Sequence, residues 1–84
     1  MIEMSSDSYS PAEVTVAKGT KVTWTNTDTM VHTVSADNGS YNSGSLAPGQ
    51  SYSLTFSLPG EYTYFCAFHG SAGGVGMSGT IIVQ

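Results

Sequence analysis

At 84 residues the chain is expected to be one domain, residues 1–84, near the small end of what folds without a staple. A formal net charge of −4, with two Lys and no Arg, excludes a basic surface able to displace phosphate counterions, so nucleic acid is not an expected partner. The single Cys excludes an internal disulfide, and no stretch is long and apolar enough to span a membrane. The opening Met1-Ile2-Glu3 reads as an initiator added to a mature domain. The pattern then becomes one of short strands. Glu13-Val-Thr-Val-Ala17 alternates, with Val14 and Val16 on one face, and Lys21-Val-Thr-Trp-Thr25 pairs Val22 with Trp24. Met30-Val-His-Thr-Val34 is read as a further strand. Ser51–Phe56 places Tyr52, Leu54 and Phe56 on one side and small hydroxyls on the other. Tyr62, Tyr64 and Cys66 share a face in the next run, and Thr80–Val83 closes the chain. Runs of period two and this length are half-buried strands. Turn chemistry separates them at Lys18-Gly19, Asn38-Gly39, Pro48-Gly49 and Pro59-Gly60. No helical periodicity or internal repeat is present. The fold class expected is all-β, a Greek-key β-sandwich of seven to eight strands.

Leu58-Pro-Gly-Glu-Tyr62 puts a Tyr just after a turn, where its phenol can close a tyrosine corner; an ordinary core Tyr at a strand start is the equal alternative.

The chemistry is concentrated near the C-terminus. Cys66-Ala-Phe-His69 is followed by Met77 and the last strand, and His32 stands upstream. Each residue has an ordinary reading by itself: a buried small Cys, a hydrogen-bonded His, a core Met. Their joint order is more specific. Two imidazoles, one thiolate and a weak axial thioether form the ligand set of a mononuclear blue-copper electron-transfer site. Cys66 ends its strand pointing inward, a short turn returns His69, Met77 hangs over the site from the far end of the loop, and His32 comes from a neighbouring strand. Soft sulfur ligands favour Cu(I) and imidazole suits both states, so a stiff scaffold can hold one geometry for Cu(II) and Cu(I).

From Ser10-Pro11 to Val83 the chain resembles a cupredoxin of the plastocyanin, pseudoazurin, amicyanin and halocyanin group. The segments that carry the likeness are Trp24-Thr-Asn-Thr-Asp28, His32-Thr-Val34, Tyr41-Asn-Ser-Gly44, Leu46-Ala-Pro-Gly-Gln50 and Gly60-Glu-Tyr-Thr-Tyr-Phe-Cys66. The resemblance implies a one-electron carrier holding one copper ion through His32, Cys66, His69 and Met77. It implies a port at the edge of His69, with Met30, Ala67, Phe68, Ala72 and Val75 as the local apolar surface, where larger redox proteins dock briefly as donor and acceptor. It also implies a monomer outside the cytoplasm, periplasmic or at the cell surface, with a membrane tether conceivable upstream of Ser5. The group usually places about two to four residues between the second His and the Met, whereas Gly70–Gly76 supplies seven. Lengthening such a loop from four to seven costs only about 0.5 kcal/mol of closure entropy. Met77 can still ligate, but a looser, wetter axial side with water as the fourth ligand is the alternative. Relatives often carry Pro where this chain has Phe68, and Phe68 keeps its N–H. Either its amide joins that of Thr33 in donating to the Cys66 sulfur, or Phe68 merely covers the site. The acids Glu3, Asp7, Glu13, Asp28, Asp37 and Glu61 are scattered and read as solvated surface.

Three rival functions come from other classes: a catalytic Cys–His thiol, a copper store, and a metal-free binding sandwich. The first has no third group to orient the pair, and the second expects clustered exposed Met or Cys where Met1, Met4, Met30 and Met77 are dispersed. The third predicts a colourless protein after copper addition. A domain cut from a larger copper oxidase or reductase remains a variant of the main reading.

Overall fold

Alternating apolar and small polar residues build two sheets that face each other across one core. The computed structural model describes residues 1–5 and 8–84; Asp7, one of the scattered acids, lies outside them. The strands are β1 (Ile2–Ser5), β2 (Ser8–Ser10), β3 (Glu13–Val16), β4 (Thr20–Asn26), β5 (Ser35–Ala36), β6 (Ser51–Phe56), β7 (Gly60–Ser71) and β8 (Val75–Val83). One sheet runs β2-β1-β4-β6 and the other β3-β8-β7-β5. Pairing is mixed, with β1 parallel to β4 and β3 parallel to β8. This is the Greek-key sandwich expected, and no helix occurs among the described residues.

The alternation works as read. Val22 pairs with Leu54 and Trp24 with Tyr52 across β4 and β6, while Val14 and Val16 pair with Ile81 and Val83 across β3 and β8. Trp24 sits at the centre, edge-on to Tyr64 at 5.4 Å and to Phe56 at 6.4 Å. Such offset aromatic contacts add to the burial itself. Tyr62 closes a true tyrosine corner: its phenol donates to the Leu58 carbonyl at 2.6 Å.

Three sequence expectations change. The N-terminal residues are not an appendage, for Ile2 and Met4 are fully buried and β1 is an inner strand of its sheet. Each such side chain contributes about 2 kcal/mol through burial. Residues 30–34 do not form a strand. Only His32 pairs there, with Leu46, and the regular strand begins at Ser35. The last strand starts at Val75 rather than Thr80, so Met77 lies inside β8 and does not hang from a loop.

Candidate metal centre

The centre is assembled from two mounts. The first is the connection after β4. Asn26 ends that strand fully buried, and its side chain is fully used: Nδ2 donates to the carbonyls of Met30 and Leu46, both at 2.8 Å, and Oδ1 accepts the Asp28 N–H at 2.9 Å. The Thr29 N–H donates to Asp28 Oδ1 at 2.7 Å, and Asp28 Oδ2 lies 2.9 Å from His32 Nε2. His32 is held along its backbone as well, donating to the Leu46 carbonyl at 3.1 Å and accepting from the Leu46 N–H at 2.8 Å. The buried His32 ring is thus fixed at one nitrogen. Asp28, read from the sequence as a solvated charge, is instead the partner of that ring.

The second mount is β7. Its pairing with β8 is regular through Phe65 and resumes at Gly70, and the irregular stretch between them carries Cys66 and His69. Cys66 continues the inward face of Tyr62 and Tyr64 and is fully buried, whereas His69 is half-buried. Cys66 Sγ lies 3.7 Å from His32 Nδ1 and 3.6 Å from His69 Nδ1, and the two imidazoles stand 5.0 Å apart at 58°. One ligand atom from each of the three residues falls within 4.8 Å of the others. The Thr33 N–H donates to Sγ at 3.4 Å, and Thr33 Oγ1 accepts the N–H of Ala67 at 2.8 Å, so one residue grips both sides of the cysteine.

Burial alone would raise the Cys66 thiol. The Thr33 amide, the imidazoles of His32 and His69 and the Phe68 amide outweigh it and lower the pKa to about 7. Burial likewise acts to lower His32, but the Asp28 carboxylate and the Cys66 sulfur outweigh it and raise the imidazole above its ordinary value.

The Gly70–Gly76 segment is not loose. It folds into the end of the β7–β8 ribbon, with Gly70 opposite Gly76 and Ser71 opposite Val75. The tip is tied back where the Gly73 N–H donates to Asp37 Oδ2 at 3.1 Å. A Cβ at Gly70 would lie 2.5 Å from the Met77 carbonyl oxygen, and one at Gly76 2.5 Å from that of His69. Only glycine lets the two backbones approach this closely. The extra residues therefore project as a paired ribbon, and its base sets Met77 across from the irregular stretch that holds Cys66 and His69. Met77 is buried there, in the same apolar cluster as Cys66.

Two nitrogens and a readily ionised sulfur, with no carboxylate among them, form a donor set suited to copper and unsuited to a hard cation. His32 Nε2 is committed to Asp28, which leaves Nδ1 facing the sulfur as the free donor. The site residues that sequence reasoning missed are Asp28 and Asn26. Asp28 stands four residues before His32, a spacing that is a signal only once the chain between them is known to turn.

The comparisons with known proteins agree with this chemistry. The profile of copper-binding proteins of the plastocyanin/azurin family matches residues 2–84. A chloroplastic plastocyanin of Tetradesmus obliquus is 40% identical over 87 aligned residues, covering 90% of this chain and 58% of its own length. A plastocyanin of Scenedesmus fuscus is 38% identical, covering 90% of this chain and 86% of its own. Among solved structures, a purple cupredoxin from Nitrosopumilus maritimus superposes with a TM-score of 0.79 at 31% identity, over 94% of this chain and 84% of that one. The chain spans a little under three fifths of the Tetradesmus protein and most of the other two. With its buried cysteine sulfur between two imidazoles and a match running from β1 to the last residue, the chain belongs to the plastocyanin/azurin family of copper-binding proteins.

Proposed function

We propose that the protein is a one-electron carrier in which His32, Cys66, His69 and Met77 would hold a single copper ion. The observation that carries this reading is the convergence of Cys66 Sγ and the two Nδ1 atoms within 4.8 Å inside a β framework. Copper bound there would supply the Cu(II)/Cu(I) couple. The chain's own residues do the rest. The backbone pairing of His32 with Leu46 and the grip of Thr33 on Cys66 and Ala67 hold the ligands still, so little has to move when the charge changes. The amides of Thr33 and Phe68 draw density from the sulfur and favour the reduced state. The Asp28 carboxylate acts through His32 in the opposite sense and favours the oxidised state.

His69 is the exit for the electron. Its ring is half-buried beside the exposed Phe68, and Met30, Val31 and Val75 are exposed apolar side chains on the segments that flank the ligands. A surface of this kind suits brief docking of larger redox proteins as donor and acceptor, because weak redox encounters use small interfaces. Among the described residues no helix is long and apolar enough to cross a membrane. We place the protein outside the cytoplasm as a monomer that transfers electrons and turns over no substrate. A copper domain within a larger protein is compatible with the same site.

Adding Cu(II) to the metal-free protein tests the reading. An intense visible thiolate-to-copper band is expected, together with protection of Cys66 from alkylation and reversible reduction without metal loss. A colourless protein with a freely alkylated Cys66 overturns it, and would favour either the thiol or the metal-free alternative.

Two further results are expected at this site. Copper uptake by the metal-free protein should weaken by about tenfold for each pH unit below 7, because the thiol must lose its proton to bind metal. The raised His32 pKa adds a second competing proton on the acid side. Competition against a chelator of known acidity reads this directly, and a flat affinity between about pH 5 and 8 would contradict it. Asp28→Asn should raise the midpoint potential, since it removes a negative charge bonded to His32 and keeps the side chain's shape. A unit charge about 7 Å from a partly exposed site is worth about 2 kcal/mol, or about 100 mV for one electron, before screening by salt reduces it. Spectroelectrochemistry decides the sign, and a lower potential would show that the carboxylate acts some other way.

A further inference from the structure

Tyr9 lies on β2, in the sheet that does not carry Cys66, yet its side chain crosses the core to the metal centre's surroundings. It is buried, and its ring meets Tyr64 edge-on at 4.6 Å and 75°. Tyr64 stands two residues before Cys66 on the same inward face of β7. The Tyr9 phenol donates to the Thr33 carbonyl at 2.6 Å. The peptide group that contains this carbonyl is held at its other end too, where the Val34 N–H donates to Ser43 Oγ at 2.8 Å. One residue back, the Thr33 N–H points at Cys66 Sγ. Burial, with the sulfur and two other phenols nearby, pushes the Tyr9 hydroxyl far above its ordinary pKa, so it stays protonated and remains a donor.

We infer that Tyr9 is a positioning residue for the metal centre: its phenol fixes the Thr33 carbonyl, and so keeps the Thr33 amide on the Cys66 sulfur. The physical reason is that a buried carbonyl does not tolerate the loss of its donor. Without the phenol, the segment from His32 to Val34 would shift to find another partner, and the N–H···S contact would lengthen. A sulfur with a weaker donor keeps more electron density, which favours Cu(II). The link from Tyr9 to Cys66 runs through two hydrogen bonds between separate parts of the fold.

The test is Tyr9→Phe, which keeps the ring and removes the hydroxyl. Its first arm needs no metal, so it is independent of the proposed function. In the metal-free protein the Thr33 amide is expected to exchange with solvent about tenfold faster relative to the Val22 and Trp24 amides of β4. The second arm rests on the copper reading. Here the equilibrium with a fixed small redox dye should move about threefold toward the oxidised protein, which is about 30 mV lower for one electron. Site-specific fluorotyrosine at position 9, a stronger donor of nearly the same shape, should move both readouts the other way, and it keeps the test open if Tyr9→Phe does not fold. A merely structural role would accelerate exchange equally in β4 and at Thr33 and leave the dye equilibrium unchanged, and that result overturns the inference. A Thr33 response with no copper band would instead leave Tyr9's role standing and defeat the proposed function.

Discussion

Gly76→Ala is expected to destabilise the metal-free protein by about 3 kcal/mol. About 1 kcal/mol comes from placing a side chain on a left-handed backbone, here at φ +65. The larger part comes from overpacking, because the new methyl would meet the His69 carbonyl oxygen at 2.5 Å and the Gly70 Cα at 3.1 Å. Both neighbours are backbone and neither can turn aside as a flexible side chain would. Gly73 and Gly74 make the proper controls. They too have left-handed φ, +91 and +79, but nothing lies within 4 Å of a Cβ built on either. Their alanine variants should lose only about 1 kcal/mol. Denaturant unfolding of the three variants separates the two terms. If Gly76→Ala proves no worse than Gly73→Ala, close approach at the ribbon's base is not what holds it together. In the copper-loaded protein the same variant should change the shape of the thiolate-to-copper band more than the controls do, because the base of the ribbon is what sets Met77 opposite Cys66 and His69.

Asn26→Leu should cost about 3 to 5 kcal/mol, a large loss for an exchange that keeps the number and branching of the side-chain heavy atoms. The carboxamide makes three hydrogen bonds in a fully buried position, and leucine makes none. The Met30 carbonyl and the Asp28 N–H would lose the partner the side chain supplies, and an unpaired buried group costs about 1 to 3 kcal/mol. The Leu46 carbonyl would keep the His32 N–H alone. The damage should also be directional. Asp28 hangs directly from this side chain, and the His32 backbone pairs with the Leu46 that it also holds, so copper affinity should fall further than global stability alone explains. Thermal melts with and without copper measure both effects. A loss below about 1 kcal/mol would mean that the turn at 27–31 holds its shape without Asn26.

Much of the candidate site was legible because its parts are local or repeat with a period. Cys66 and His69 lie on one short segment, and Tyr62, Tyr64 and Cys66 share a face by simple alternation. The tyrosine corner reaches back only four positions, from Tyr62 to Leu58. What misled is equally specific. Residues 30–34 alternate as a strand does, but Asn26 captures the Met30 carbonyl and bends the chain, leaving His32 as an isolated pair with Leu46. The glycines of 70–76 carry no side-chain pattern, so a paired ribbon looked like slack. β1 and β2 are short; the inner partner of β1 lies far along the chain, where Ile2 pairs with Trp24, and β2 joins the sheet only through β1.

By itself the sequence determined the kind of centre this protein carries. Ligand chemistry belongs to side chains, and the order His, Cys, His, Met is written along the chain together with the strand periodicity that buries it. Tertiary structure alone decided how that centre is tuned and braced. Asp28 on His32, Tyr9 on the Thr33 carbonyl and the backbone closure of Gly70–Gly76 are contacts between particular atoms. Their partners depend on where the chain turns and which sheet it joins, and hydrogen-bond geometry leaves no trace in residue pattern until those turns are made.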